Sequence, residues 1–392
     1  MLPYGRQWVD EEDIQAVVDV LRSEWLTTGP NVERFERAFA EFVGVREAVA
    51  VSSGTAALHA AVYATGIGPG DEVIVPALTF AASANCVVFQ GGTPVFADVC
   101  RDTLLVDPES VKALITSQTK AIIAVDYAGQ PCDYDALLDL ADHHGLILIS
   151  DASHSLGATY RNRPVGSIAN LSAFSFHPVK HITTGEGGMI TTDDTDLARK
   201  MKRFRNHGVD CDSRERVKYG RFYYEMVDLG YNYRLSDLQC ALGLSQLRKL
   251  PKFLSRRRWI AEQYDEALSD IPFVTPPKRN DDVTHAYHLY PVQFNTNLLS
   301  TIREEIFAAL LSQKIGVNVH YLPVHLHPYY KNRFRTRFGL CPNAEEAYTR
   351  LISLPIFPGM RLQDVKGVVD ALERLPRLLT KSSSYEKLSN SP

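Results

Sequence analysis

The chain contains no Cys-x-x-Cys pair; its six cysteines (Cys86, Cys100, Cys132, Cys211, Cys240, Cys341) are scattered along 392 residues. That excludes the common zinc and dithiol spacings and suits a reducing compartment, so a cytoplasmic protein is expected. Positive charge is not in excess either. The formal net charge is −4, which leaves no basic field for nucleic acid. Long apolar runs are missing: the nearest approach, Ala48 to Gly68, is broken by Ser52, Ser53, Thr55 and His59, so no membrane span is expected. The opening MLPYGRQWVDEED has no apolar signal core. No internal repeat is visible.

Two glycine clusters lack the context that would make them nucleotide motifs. Gly66, Gly68 and Gly70 follow a helix pattern and precede a strand pattern, the reverse of the dinucleotide order. Thr184 to Gly188 lacks the Lys-Ser/Thr ending of a P-loop. His320, His325 and His327 lie in a proline-broken loop with no carboxylate at ligand spacing, so no metal is expected. His143 and His144 precede Gly145 at a helix end, where a cation meets the dipole favourably.

What is present is an alternation. Asp10 caps a helix with Ile14, Val17, Val18 and Leu21 on one face, and Phe35, Ala38, Phe39 and Phe42 repeat the helical spacing up to Gly44. Strand patterns at 48–51, 72–75, 94–97, 120–125, 146–150 and 187–192 are separated by helix patterns. This predicts a largely parallel sheet covered on both faces. Beyond Arg234, one helix is expected to Leu250 and another from Arg256 to Leu268, with Pro251 between them. Later strands are expected at 288–294 and 317–321, and helices at 301–312, 344–351 and 363–372. The reading gives a large domain over 10–250 and a smaller one over 251–380. Residues 1–9 are expected near the site, and the serine-rich 381–392 is expected to be disordered. Arg203 to Arg221 reads as a basic, loop-like stretch.

Within this frame Ser172 to Gly188, SAFSFHPVKHITTGEGG, stands out. A buried strand (Ala173, Phe174, Phe176) is stopped by Pro178, and Lys180 follows in a loop rich in glycine. Partial burial disfavours the ammonium form and makes the amine nucleophilic, as imine chemistry with an aldehyde cofactor requires. Asp151 ends the apolar run Leu146 to Ile149, where an acid can keep the ring nitrogen of pyridoxal phosphate protonated. Strand, Ser52-Ser53-Gly54-Thr55 and helix together form a phosphate cradle.

The words SSGTAAL (52–58), TF (79–80), DASHS (151–155), SFHPVK (175–180), GEGG (185–188) and GYNYRLSDLQCALG (230–243) resemble the DegT/DnrJ/EryC1/StrS family over roughly residues 3 to 375. The resemblance implies an α/β protein of pyridoxal-phosphate fold type I (aspartate aminotransferase-like), a large mostly parallel sheet domain plus a smaller α+β domain. It also implies a homodimer with shared active sites and amination of a keto sugar nucleotide. By the same resemblance Lys180 is the cofactor-bearing lysine and proton shuttle, and Asp151 pairs with the ring nitrogen. His154 lies on the phenolic-oxygen side and Phe80 stacks on the ring. Gly54, Thr55 and Ser175 hold the phosphate, joined by Asn232 from the other subunit.

Within the family, PYGRQ (3–7), LTTGP (26–30), IGVNVHYLPVHLHPYY (315–330) and SLPIFPG (353–359) are similar to the members that aminate UDP-4-keto-6-deoxy sugars for pseudaminic acid, with L-glutamate as donor. Tyr4, Arg234, His320, Tyr321 and His325 are then the substrate-side residues. The alternatives are an aminotransferase of the same family acting on another keto sugar nucleotide, or a pyridoxal-phosphate-dependent sugar dehydratase of the same fold. One type of family dehydratase has histidine in place of the lysine, whereas this chain keeps Lys180.

Overall fold

The computed structural model describes residues 1–211, 220 and 222–379; the tail at 381–392 and part of the basic stretch 203–221 lie outside the described residues. Seven strands form the main sheet: β1 (Glu47–Val51), β2 (Glu72–Pro76), β3 (Thr93–Ala97), β4 (Thr119–Val125), β5 (Ile147–Asp151), β6 (Leu171–Ser175) and β7 (Gly188–Thr192). Their order is β1-β7-β6-β5-β4-β2-β3. The pairs from β3 through β6 are parallel, while β7 runs antiparallel to both β6 and β1. The expected mostly parallel sheet is therefore present.

Successive side chains of a strand point to opposite faces, and the core shows it. Val49 and Val51 join one apolar cluster, with α3 (Gly54–Ala64), α4 (Ala82–Phe89) and α6 (Tyr134–His144). Ala48 and Ala50 join another, with Phe35 and Phe39 of α2 (Pro30–Val43). Phe174 and Phe176 fall in that second cluster and Leu171 and Ala173 in the first. Helices cover both faces, and the carboxyl ends of β4, β5 and β6 converge near Asp151.

Three expectations fail here. The N-terminal helix α1 (Glu11–Leu21) is capped by Asp10 through a capping box, yet Ile14 and Leu21 are exposed, and Asp13 and Val20 are the buried residues. Asp13 is held by Gln246 and Lys249, long-range partners that the apolar spacing does not encode. Pro251 does not divide two helices: Asp237–Leu268 (α8) is one 32-residue helix running through it. An interior proline costs about 3 kcal/mol. Leu250, Phe253 and Leu254 beside it are all buried, each worth about 1.5–3 kcal/mol, so packing outweighs the lost bond. Residues 317–321 form no strand; Asn318 makes a single bridge to Ser353. The second sheet comprises Val274–Thr275, Tyr290–Phe294 and Leu351–Leu354. Its core runs from Ile260 to Leu379.

Asp237 explains how α8 and α2 are joined. Its buried carboxylate accepts from the amides of Asn31 and Val32 and from the Asn31 side chain, satisfying orphan donors at the start of α2. Asp237→Ala removes all three bonds from buried groups. Urea unfolding should show a loss of roughly 2–4 kcal/mol, and a loss below about 0.5 kcal/mol would show that the cap is unimportant.

Candidate active site

The Lys180 loop leaves β6 and is closed at its neck. Phe176 donates its amide to Gly187 O at 2.8 Å, and Thr184 and Thr183 return to Phe176 O. Within it, the Lys180 amide donates to His177 O at 2.9 Å, so Pro178 and Val179 form a tight turn. The Lys180 side chain is half-buried. Desolvation pulls its pKa down from 10.5 to about 8; Asp151 opposes the shift and Arg257 adds to it.

Asp151 is buried at the end of β5. Ser83 Oγ donates to its Oδ2 at 2.7 Å, Thr79 Oγ1 lies 2.8 Å from Ser83 Oγ, and the Ser153 amide reaches Oδ1 at 3.2 Å. His154 is buried, with Nε2 3.2 Å from the Tyr321 hydroxyl and Nδ1 without a partner among the described residues. Phe80 is exposed, its ring 6.0 Å from that of Tyr321. His320 sits 5.7 Å ring to ring from Tyr4, its Nδ1 2.8 Å from Ser353 Oγ. The N-terminal segment is thus drawn in, with Leu2 paired to Ile315 and Tyr4 O accepting from Ile356.

At the start of α3, Ser53 caps the helix by accepting from the Ala56 amide. The amides of Gly54 and Thr55 have no preceding helical carbonyls to bind. A Cβ at Gly54 would come within 2.7 Å of Ser175 Cβ, so only glycine lets the helix start approach Ser175. This donor set fits a phosphate. Together with Lys180, Asp151 and the orphaned His154 nitrogen, the residues fit pyridoxal phosphate.

The structure brings together Lys180, Asp151, His154, Phe80, His320, Tyr321 and Tyr4. It does not bring His325. That ring is fully buried, 2.8 Å from Glu345 Oε1 and tilted against Phe96 with ring centroids 6.0 Å apart. Glu345 also accepts the Gly339 and Cys341 amides. His325 braces the loop, and the substrate-side expectation for it is corrected. Arg234 donates to Asn206 Oδ1 at 2.6 Å, and Asn232 is exposed in a stretch tied to the cradle by Ser52 N to Tyr233 O. Asp237 and Gln239, polar amid leucines, serve the helix caps.

Sequence reasoning missed Ser83, Arg257 and His288. Ser83 stands four residues after Thr79, a usable signal; Arg257, inside the triplet 256–258, reads as surface charge. A cavity of about 520 Å³ lined by Tyr127, Asp265, Arg279 and Tyr287 includes neither Lys180 nor Asp151.

The family model of the DegT/DnrJ/EryC1/StrS aminotransferases matches residues 7–373. The spore coat polysaccharide biosynthesis protein SpsC of Bacillus subtilis is 45% identical over 373 residues, covering 95% of this chain and 96% of SpsC. Among solved structures, Helicobacter pylori PseC, an aminotransferase involved in pseudoaminic acid biosynthesis, superposes with a TM-score of 0.89 at 35% identity, covering 96% and 99% of the two chains. The pyridoxal-phosphate form of the putative sugar aminotransferase Spr1654 of Streptococcus pneumoniae gives 0.89 at 31% identity, over 96% and 99%.

The lowered Lys180 pKa sets a pH dependence. Acylation of its amine in cofactor-free protein, followed by peptide mass spectrometry, should rise with a midpoint near pH 8. A midpoint at the ordinary lysine value of 10.5 would contradict the desolvated environment.

Proposed function

Because the chain belongs to the DegT/DnrJ/EryC1/StrS aminotransferase family, whose aminotransferases are pyridoxal-phosphate-dependent, we propose that it transfers the amino group of L-glutamate to C4 of a UDP-4-keto-6-deoxy-N-acetylhexosamine. The product is the UDP-4-amino-4,6-dideoxy sugar of a pseudaminic acid type pathway, and 2-oxoglutarate leaves. The observation that carries the class is the pairing of a desolvated Lys180 with a braced Asp151 at the carboxyl edge of the sheet. Similarity to PseC supports the substrate. The higher identity to SpsC favours a second reading, another keto sugar nucleotide destined for a surface polysaccharide.

In this reading pyridoxal phosphate, when bound, supplies the electron sink that stabilises charge at the carbon losing its proton. The neutral Lys180 amine takes and returns that proton, which a base with its pKa brought down to about 8 does better than an ordinary lysine. Asp151, fixed by Ser83, holds a proton at the ring nitrogen. The Gly54 and Thr55 amides and Ser175 bind the phosphate, and Phe80 covers the ring. His154 would face the phenolic oxygen, and Tyr321, its hydroxyl 3.2 Å from His154 Nε2, would face the substrate. His320, Tyr4 and Arg234 orient the sugar nucleotide.

A homodimer completes the site in this reading. Phe222, Met226 and Leu229 are exposed beside Asn232, a stretch suited to burial against a second copy. Asn232 then serves the partner's phosphate cradle.

Lys180→Ala should abolish transamination, and Asp151→Asn should lower the rate by roughly a hundredfold or more. The assay is 2-oxoglutarate release with a panel of 4-keto sugar nucleotides, with the aminated product identified. Turnover near wild type in either variant would remove that residue from the chemistry. Lys180→Ala mixed with Asn232→Ala, after demonstrated subunit exchange, should recover up to about half the activity per heterodimer. If Asn232→Ala alone is severely impaired and no activity returns, Asn232 serves its own chain.

A further inference from the structure

The Lys180 loop is gripped on both sides of the lysine by other segments. Arg257 of α8 donates from Nη2 to Val179 O at 3.4 Å, one residue before Lys180. His181, one residue after it, is bonded through Nε2 to Ala286 O at 3.1 Å. Arg257 Nη1 also reaches Tyr287 O, His288 O and Ile356 O at 3.0, 3.2 and 3.1 Å. One guanidinium therefore joins the Lys180 loop to the 285–289 connection and to the end of the second sheet.

Arg257 has no exposed surface, and no carboxylate among the described residues forms an ion pair with it. A buried cation without an anion is costly by several kcal/mol. Neutral donors can serve backbone carbonyls, so hydrogen bonding alone does not require this charge. Burial lowers the Arg257 pKa to about 9, which still leaves it charged at neutral pH.

Its electrostatic effect falls on Lys180. The groups facing that amine are Asp151 from β5, Arg257 from α8, and His154, His181, His288 and His320 from the surrounding segments. All four histidines are held well below their ordinary pKa, chiefly by burial. Asp151 and Arg257 are thus the opposed charges. Without Arg257, the attraction of Asp151 for an ammonium would be opposed by burial alone.

We propose that Arg257 is a positioning residue for Lys180: through Val179 it fixes the point from which the amine reaches out, and its unpaired charge disfavours a second cation beside it. This rests on the reading of Lys180 as the cofactor-bearing lysine. Arg257 touches no reacting atom and acts through its neighbour.

The test is a pH titration of the visible absorbance of the cofactor-loaded protein, which reports protonation at the Lys180 nitrogen. Arg257→Gln removes the charge and keeps a donor, so the midpoint should rise by about one pH unit. Arg257→Lys keeps a cation and should move it less than half as far. A glutamine midpoint equal to wild type overturns the inference. If the glutamine variant does not fold, the lysine variant decides. Having lost the fork that spans Val179 and Tyr287, it should show a kcat about tenfold lower with KM for glutamate within about twofold. Wild-type kcat there overturns the inference. Lys180→Ala, titrated alongside, separates the two claims. If it keeps the same pH-dependent band, the reading of Lys180 fails. If it loses the band while Arg257→Gln leaves the midpoint unmoved, only the Arg257 inference fails.

Discussion

Desolvating the Lys180 amine, with no ion pair among the described residues to hold its proton, is the constraint on which the site depends. A lysine on the surface would stay charged and inert near neutral pH, while one salt-bridged in the interior would be more so. Here burial lowers its pKa to about 8, and Asp151, the carboxylate that opposes the shift, is already engaged by Ser83 and the Ser153 amide. The loop must therefore be closed at its neck, pinned through Val179 and His181, and roofed by neutral histidines. Each of those requirements is met by a group from a different part of the chain.

The sheet explains how those parts meet. Parallel strands deliver their carboxyl ends to one edge, so Asp151 at the end of β5 and Lys180 after β6 become neighbours although 29 positions separate them in the chain. Gly129 adds a close approach: its φ of +108° and a would-be Cβ within 2.7 Å of His154 O leave room only for hydrogen. The 285–289 connection can then lie against the end of β4, where Ala286 and Leu289 bond to Gly129 O and Ala128 O. That contact sets His288 beside His154, ring centroids 4.4 Å apart.

Local signals made much of this legible in the sequence. Strand, turn and helix around Gly54, the Pro178 stop before Lys180, and Gly44 and Gly145 closing their helices all act within a few residues, and the structure follows them. The failures are long-range. Pro251 looked like a break because its cost is local, whereas the burial of Leu250 and Leu254 against distant residues offsets that cost. His325 looked free because Glu345 lies 20 positions away. Ile14 and Leu21 looked like a buried face because spacing cannot show which side of α1 meets Gln246 and Lys249. Arg257 was invisible for the same reason: in RRR nothing marks one arginine as fully buried.

The central claim is that Lys180, and no other lysine, carries the cofactor. Borohydride reduction of the protein loaded with pyridoxal phosphate, followed by digestion and mass spectrometry, tests it most directly. The account predicts a stable pyridoxyl group on the peptide containing Lys180 and on no other. A label on a different lysine, or none on a protein that still transaminates, would contradict it.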